Sequence, residues 1–251
     1  MISNRMLTNV SFVKEGARVA DIACDHGLVA IYLIEQGIAS KVCAMDIAEG
    51  PLEHAHNNIR DRGLADKIDV RLSDGLQKLK VDADGIPEVD TIIAGGIGGR
   101  LAVKIIEDSL DVALRLKSVI LQPQSEIDFV RIRMSELGFL LKDEKMTLEE
   151  GKFYTTLLYE PRDPVEAGPE QGKEAYSEVE LIYGPCLIRK KDPVLLDYLK
   201  IEYDKFVTIR DIMKRDNKDS TEGLKKIEQK IQNIEEAMGL WNGGSYGKDY
   251  N

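Results

Sequence analysis

Three aspartates follow short apolar runs in the first third of the chain: Asp25 after VADIAC, Asp46 after VCAM and Asp74 after VRLS. Val19, Ala20, Ile22 and Ala23 have the character of a strand buried on both faces. Val42 to Met45 repeat it about 20 residues later, the spacing of a dinucleotide-type βαβ unit. In such units the carboxylate that closes the second strand accepts hydrogen bonds from both ribose hydroxyls of an adenosine, which makes Asp46 a candidate ligand contact. Asp74 stands where a second polar group would meet the adenine.

The loop between the first strand and its helix narrows the ligand. A pyrophosphate site needs GxGxxG, whose glycines bring backbone N–H groups to a helix N-terminus. Here the loop is ACDHGL, with Gly27 as its single glycine. Asp25 puts a carboxylate where a pyrophosphate needs room and positive potential. It suits a ligand with a positive charge, such as the amino group of S-adenosylmethionine and its nearby sulfonium; a purely structural turn built on Asp25 and His26 is the alternative.

Two further stretches reach the same edge. Residues 94–99, AGGIGG, follow the fourth apolar run, where ligands bind in open α/β sheets, and their four glycines permit close backbone approach. Many amino-directed methyltransferases carry an Asn or Asp followed by two prolines at this place, and this chain does not. Gln122, Pro123 and Gln124 end the fifth run, where Gln122 can offer a donor and an acceptor to a base edge. A glycine-rich packing turn and an ordinary strand end remain the alternatives for these two stretches. His54 and His56, two apart on a helix, share no face, and Cys24, Cys43 and Cys186 do not have zinc spacing, so no metal site is expected.

Alternating elements must position these groups. Residues 5–14 form a short amphipathic helix with Met6, Leu7, Val10 and Val13 at helical spacing, stopped by Gly16. Helix 28–36 ends at Gly37, and Pro51 opens a helix closed by Gly63. Strands are expected at 68–72, 89–94 and 118–121, with one helix over 101–114 and another over 126–137 capped by Ser125. Residues 139–145 and 154–159, joined through LEEGK, read as a hairpin. Residues 161–177, rich in Pro, Gly and Glu, read as a linker or excursion. From Pro193 onward, apolar residues at three-and-four spacing predict two antiparallel helices. The expected domains are therefore 1–160, a linker 161–177, and a helical extension 178–251.

Composition fits a soluble, cytoplasmic globular protein: 43% hydrophobic and 31% charged residues in 251, with no apolar run near the roughly 18 residues of a membrane span. The net charge of −10 argues against phosphate binding until its distribution is considered. Residues 1–177 hold 21 Lys and Arg against 30 Asp and Glu, while residues 178–239 hold 12 against 13. Lys200, Lys205, Arg210, Lys214, Arg215, Lys218, Lys225, Lys226 and Lys230 can form one basic face toward nucleic acid, or simply a solvated helix face.

In their order and spacing, ADIACDHGL, AMDIAEGPL, RLSDGL, IAGGIGG, LQPQ and EEGKFY resemble the TrmK family of bacterial tRNA methyltransferases, across essentially the whole chain. The resemblance implies an α/β, Class I (Rossmann-like) methyltransferase fold with a seven-stranded sheet and a C-terminal coiled-coil-like helix pair. It implies methylation of N1 of adenine 22 in tRNA by S-adenosyl-L-methionine. On that resemblance, Asp25, His26 and Gly27 line the methionine end, Asp46 the ribose, and Asp74 and Gly75 the adenine. Gly95, counted with the cofactor contacts, joins Gln122 and Pro123 at the entrance for the target base. The chain departs from its relatives at Leu28, where they often have an aromatic, so stacking on the base would fall to Tyr32 or Tyr154, or be weaker. A small-molecule methyltransferase and a non-catalytic S-adenosylmethionine-binding module are the competing functions, and a monomer is the expected state.

Overall fold

A computed structural model describes residues 2–162, 176–215 and 221–243, which fall into two compact units, Met1–Lys173 and Glu174–Asn251. Most of the expected linker 161–177 and the turn holding Lys218 lie outside the described residues.

The first unit runs α1 (Asn4–Val10), β1 (Ala17–Ile22), α2 (Leu28–Glu35), β2 (Ala39–Asp46), α3 (Glu49–Asp61), β3 (Ile68–Leu72) and β4 (Thr91–Ile97). It continues α4 (Gly99–Glu107), α5 (Leu110–Ala113), β5 (Ser118–Pro123), α6 (Ile127–Glu136), β6 (Phe139–Glu149) and β7 (Lys152–Pro161). The strands form one sheet ordered β3-β2-β1-β4-β5-β7-β6. Neighbours from β3 to β5 are parallel, and β7 runs antiparallel to both β5 and β6. The apolar runs become its centre: Val19, Val42, Ile92 and Ile120 have no solvent exposure, as expected for strands covered on both faces. Chain order reverses between β1 and β4, so a crevice opens at the carboxyl ends of these neighbours.

Three local expectations are corrected. The helix expected over 101–114 is two, α4 and α5, separated at Asp108 and Ser109. Ser125 does not cap α6; Glu126 occupies that position with a left-handed φ of 53°, and Ser125 Oγ instead accepts from Gly99 N at 3.4 Å. A side chain at Gly99 explains the arrangement by its absence, since its Cβ would lie 2.3 Å from the Ser125 carbonyl oxygen. The hairpin strands are also longer than patterning predicts, because cross-strand pairing continues from Phe139–Pro161 to Glu149–Lys152 beyond the alternating apolar residues.

The second unit begins with α7 (Glu178–Tyr183), fixed by a reciprocal capping box between Ser177 and Glu180, and α8 (Pro185–Lys190). The helices α9 (Pro193–Arg215) and α10 (Thr221–Trp241) are antiparallel. Trp241 Nε1 donates to the Asp192 carbonyl, Tyr203 OH to Glu235, and Lys214 pairs with Glu228, so positions rising along α9 meet positions falling along α10. Leu195, Leu199, Ile231, Ile234 and Ala237 are buried. Among the described residues no helix is long and apolar enough to cross a membrane.

Candidate active site

The loop leaving β1 is built from left-handed turns. Ala23, Asp25 and Gly27 have φ of 56°, 50° and 69°, conformations that are costly for alanine and cost glycine nothing. The turn closes through Gly27 N to the Cys24 carbonyl at 2.8 Å, and α3 crowds Gly27, where an added Cβ would sit 3.2 Å from Ala55 Cβ. At the end of β2, Asp46 accepts from Asp25 N at 3.2 Å through Oδ2 and from Ala48 N at 3.0 Å through Oδ1. Asp46 thus ties the two loops together and remains half-buried, with lone pairs left for a ligand.

These loops wall a cavity of about 330 Å³, within the size of small-molecule sites. Asp21, Asp25, His26 and Leu28 line it from the first strand and its loop, Asp46 from β2, Gly95 and Gly96 from β4, and Gln124 from beyond β5. Helix α1 closes it with Arg5, Met6 and Asn9. Three carboxylates and one guanidinium around one cavity suit a zwitterion whose cationic groups outnumber its anionic ones. Among the described residues no cluster of His, Cys, Asp and Glu could hold a metal ion.

Asp21 is a cavity residue that sequence patterning passed over, because it sits inside the apolar run of β1. It is 4% exposed, and its Oδ2 has no hydrogen-bond partner. Burial pushes its pKa up to about 7, with the Asp46 charge adding to the rise and the Ala30 backbone N–H opposing it. Since the folded pKa lies above the unfolded value of 3.8, ionising Asp21 removes stability as pH rises from about 4 to about 7, and the cost is complete above that window. Asp21→Asn should therefore raise the melting temperature of the ligand-free protein at pH 8 by several degrees and have no such effect near pH 4. An equal gain at both values would remove the electrostatic cause. Cys24, another cavity residue, is held as a thiol: burial and then the charges of Asp21 and Asp46 push its pKa far above the usual range.

The other expected site residues are distributed differently. Asp74 is exposed after β3, and Gly75, with φ of 54°, packs against Ile105; neither lines the cavity. Pro123 is buried at the end of β5, paired with Ile97. Gln122 has no exposure and is also absent from the lining, because it is spent on α1. Its Nε2 lies 2.9 Å from the Arg5 carbonyl, 2.8 Å from Asn9 Oδ1 and 3.0 Å from Thr156 Oγ1. Tyr154 carries the Arg5 guanidinium 5.5 Å above its ring, so it borders the α1 wall, whereas Tyr32 lines a separate groove with Leu7 and Ile38. The AGGIGG glycines have distinct tasks. Gly95 makes room for Asn9, whose Nδ2 would be 2.7 Å from an added Cβ, and Gly96, φ 77°, lies in the register shift between Gly95 and Ile97.

Residues 2–157 match the family model described as "Methyltransferase domain". The tRNA (adenine(22)-N(1))-methyltransferase of Bacillus subtilis is 28% identical over 94% of this chain and 97% of its own length. Sp1610 of Streptococcus pneumoniae, named "a putative tRNA (m1A22) methyltransferase", is 31% identical over 95% of this chain and 100% of its own, with a TM-score of 0.83. Its structure in complex with S-adenosyl-L-methionine matches with a TM-score of 0.79. The crystal structure of the B. subtilis M1A22 tRNA methyltransferase TrmK is 26% identical over 95% of this chain and 99% of its own, with a TM-score of 0.76.

Proposed function

The chain belongs to the methyltransferase domain family, and within it to the TrmK tRNA methyltransferases, and from that premise we propose its reaction: transfer of a methyl group from S-adenosylmethionine to N1 of adenine 22 in tRNA. The observation that carries this at the level of side chains is the set of three carboxylates, Asp21, Asp25 and Asp46, around one cavity at the switch point of the sheet. When bound, the cofactor supplies an electrophilic methyl on a sulfonium.

The protein's own residues orient and balance charge. Asp46 accepts the ribose hydroxyls, in the role of the acid that closes the second strand of such units. Asp25 and Asp21 face the amino group, and Asp21, whose pKa burial pushes up to about 7, gives up its proton as a cation arrives, since an opposite charge favours the ionised form. Arg5, whose Nε also lies 3.7 Å from Glu149 Oε2, is the arginine of the lining and the group that would meet a carboxylate. His26 and Gly27 shape the loop rather than act as acid or base, and Gly95 lies at the side where the base enters.

Adenine N1 brings its own lone pair, so positioning and electrostatics carry the step and no strong base is required. The base must be unpaired or turned out of its stack to expose N1, at a cost of a few kcal/mol. Incubation with labelled S-adenosylmethionine and unmodified tRNA, followed by mapping of the labelled nucleotide, tests the reaction. Label at N1 of adenine 22 is the expected result, and label elsewhere would replace the substrate assignment.

Asp46→Ala should weaken S-adenosylmethionine binding by roughly 150-fold or more, as expected for two hydrogen bonds to a charged acceptor. The melting temperature should stay within a few degrees of wild type. Calorimetric titration reads the affinity, and an unchanged Kd would sink the ribose assignment.

A further inference from the structure

Gly95 lies toward the carboxyl end of β4, and the space beside it is filled by Asn9 of α1. An added Cβ at Gly95 would lie 2.7 Å from Asn9 Nδ2. Asn9 itself is 3% exposed yet lines the cavity. At this point of β4 the side chain that reaches the cavity wall thus comes from α1 and not from the strand.

The hydrogen-bond network decides which end of the Asn9 amide faces the cavity. Gln122 Nε2 lies 2.9 Å from the Arg5 carbonyl oxygen, so the nitrogen of Gln122 must be on that side. The Asn9 atom 2.8 Å from the same nitrogen is therefore the oxygen. Thr156 Oγ1 donates a second bond to Asn9 Oδ1 at 2.8 Å, which occupies that oxygen from another direction. Asn9 Nδ2 is left with no protein partner among the described residues. The helix that carries it is anchored in turn: Asn4 N donates to Glu149 at 2.7 Å, and the Thr8 and Thr147 hydroxyls meet at 2.6 Å.

We infer that Asn9 is the residue that orients the target adenine, by donating from Nδ2 to a ring-nitrogen acceptor of the base other than N1. This rests on the tRNA methyltransferase function proposed above. A donor in this position has a definite chemical consequence. It cannot accept the N6 amino hydrogens, which an Asn oxygen or Asp carboxylate at the end of β4 would attract. It therefore leaves the exocyclic amine without the acceptor that would hold it toward the methyl group, and N1 presents its free lone pair instead. Gln122 and Thr156 are positioning residues in this arrangement, because they touch Asn9 and not the base.

Asn9→Asp tests the inference directly, since it keeps an oxygen for Gln122 and Thr156 and replaces the donor by an acceptor. Steady-state methylation of unmodified tRNA should fall by about 30-fold or more in kcat/KM for tRNA, with S-adenosylmethionine affinity within about threefold of wild type by calorimetry. Thr156→Val, which removes one bond from Oδ1 without entering the cavity, should lower kcat by about three- to tenfold, and Thr156→Ser should restore it. If Asn9→Asp fails to fold by melting temperature, the Thr156 pair decides. Full activity in Asn9→Asp or in Thr156→Val overturns the inference, as does a loss of cofactor affinity parallel to the loss of turnover, which would assign Asn9 to the cofactor. Wild-type protein that leaves unmodified tRNA unlabelled overturns the underlying function instead, and the cofactor affinities then stand as a separate result.

Discussion

Removal of residues 174–251 should leave S-adenosylmethionine binding intact and reduce tRNA methylation by about 10³-fold or more, a loss on the scale of deleting most phosphate contacts. Every residue that lines the cavity lies between Arg5 and Gln124, inside a unit with its own core. The methyltransferase domain model ends at residue 157, whereas the tRNA methyltransferases matched here align over 94–95% of the chain and so share the helical unit as well. That unit is close to charge balance, while residues 1–177 carry nine more acids than bases, 30 against 21. A polyanion gains little from the acidic part.

Within the helical unit, several cations are already engaged. Lys205 pairs with Glu202, Lys214 with Glu228, Lys226 with Glu222 and Arg210 with Asp211. Lys200 and Lys225 are exposed and have no acidic partner among the described residues, and Lys230 stands 4.8 Å above the Phe206 ring with solvent access. With Arg215, likewise exposed and without an acidic partner among the described residues, these three are the strongest phosphate contacts to expect, and charge reversal there should weaken tRNA binding more than reversal of Lys226. Truncated protein with full tRNA activity would remove the helical unit from substrate binding. Unchanged calorimetry with lost turnover would support it.

Glu144→Ala should cost about 3–5 kcal/mol of folding stability, because it removes one partner of a buried ion pair. The side chains of Arg131 and Glu144 are 2% and 0% exposed and meet at 2.7 Å, with Arg131 Nε donating to the same oxygen at 2.8 Å. Both come from elements that pack together, α6 and β6, and the register shift between Leu141 and Asp143 precedes Glu144. Urea unfolding reads the loss as a lower midpoint. The double change Arg131→Met with Glu144→Leu should recover most of it, since two apolar side chains need no partner. A single variant as stable as wild type would show that the pair contributes little.

The parallel strands and Asp46 were legible because their signals are local: a doubly buried strand is an apolar run, and the acid ends it. The antiparallel helix pair was legible for the same reason, through spacing alone. Asp21 was hidden by the run that contains it, since an acid among Val19, Ala20 and Ile22 looks like an interruption of a strand until the cavity beside it is known. Asn9 could not be found locally, as its partners are 113 and 147 residues away, Gln122 and Thr156. Gln122 showed its amide in sequence but not the helix that consumes it. The Ser125 cap failed for a similar reason: its hydroxyl meets Gly99, 26 residues earlier, in competition with its own helix. Long-range contacts decide such residues, and periodicity carries no information about them.

Cys24 gives the cavity a property of self-restraint. A site that holds an activated methyl exposes its own walls to alkylation, and sulfur in its anionic form is the most reactive group a wall can offer. Burial first, and then the charges of Asp21 and Asp46, oppose the formation of a thiolate at Cys24, so the same wall that is rich in carboxylates keeps the protein's own sulfur from becoming an acceptor.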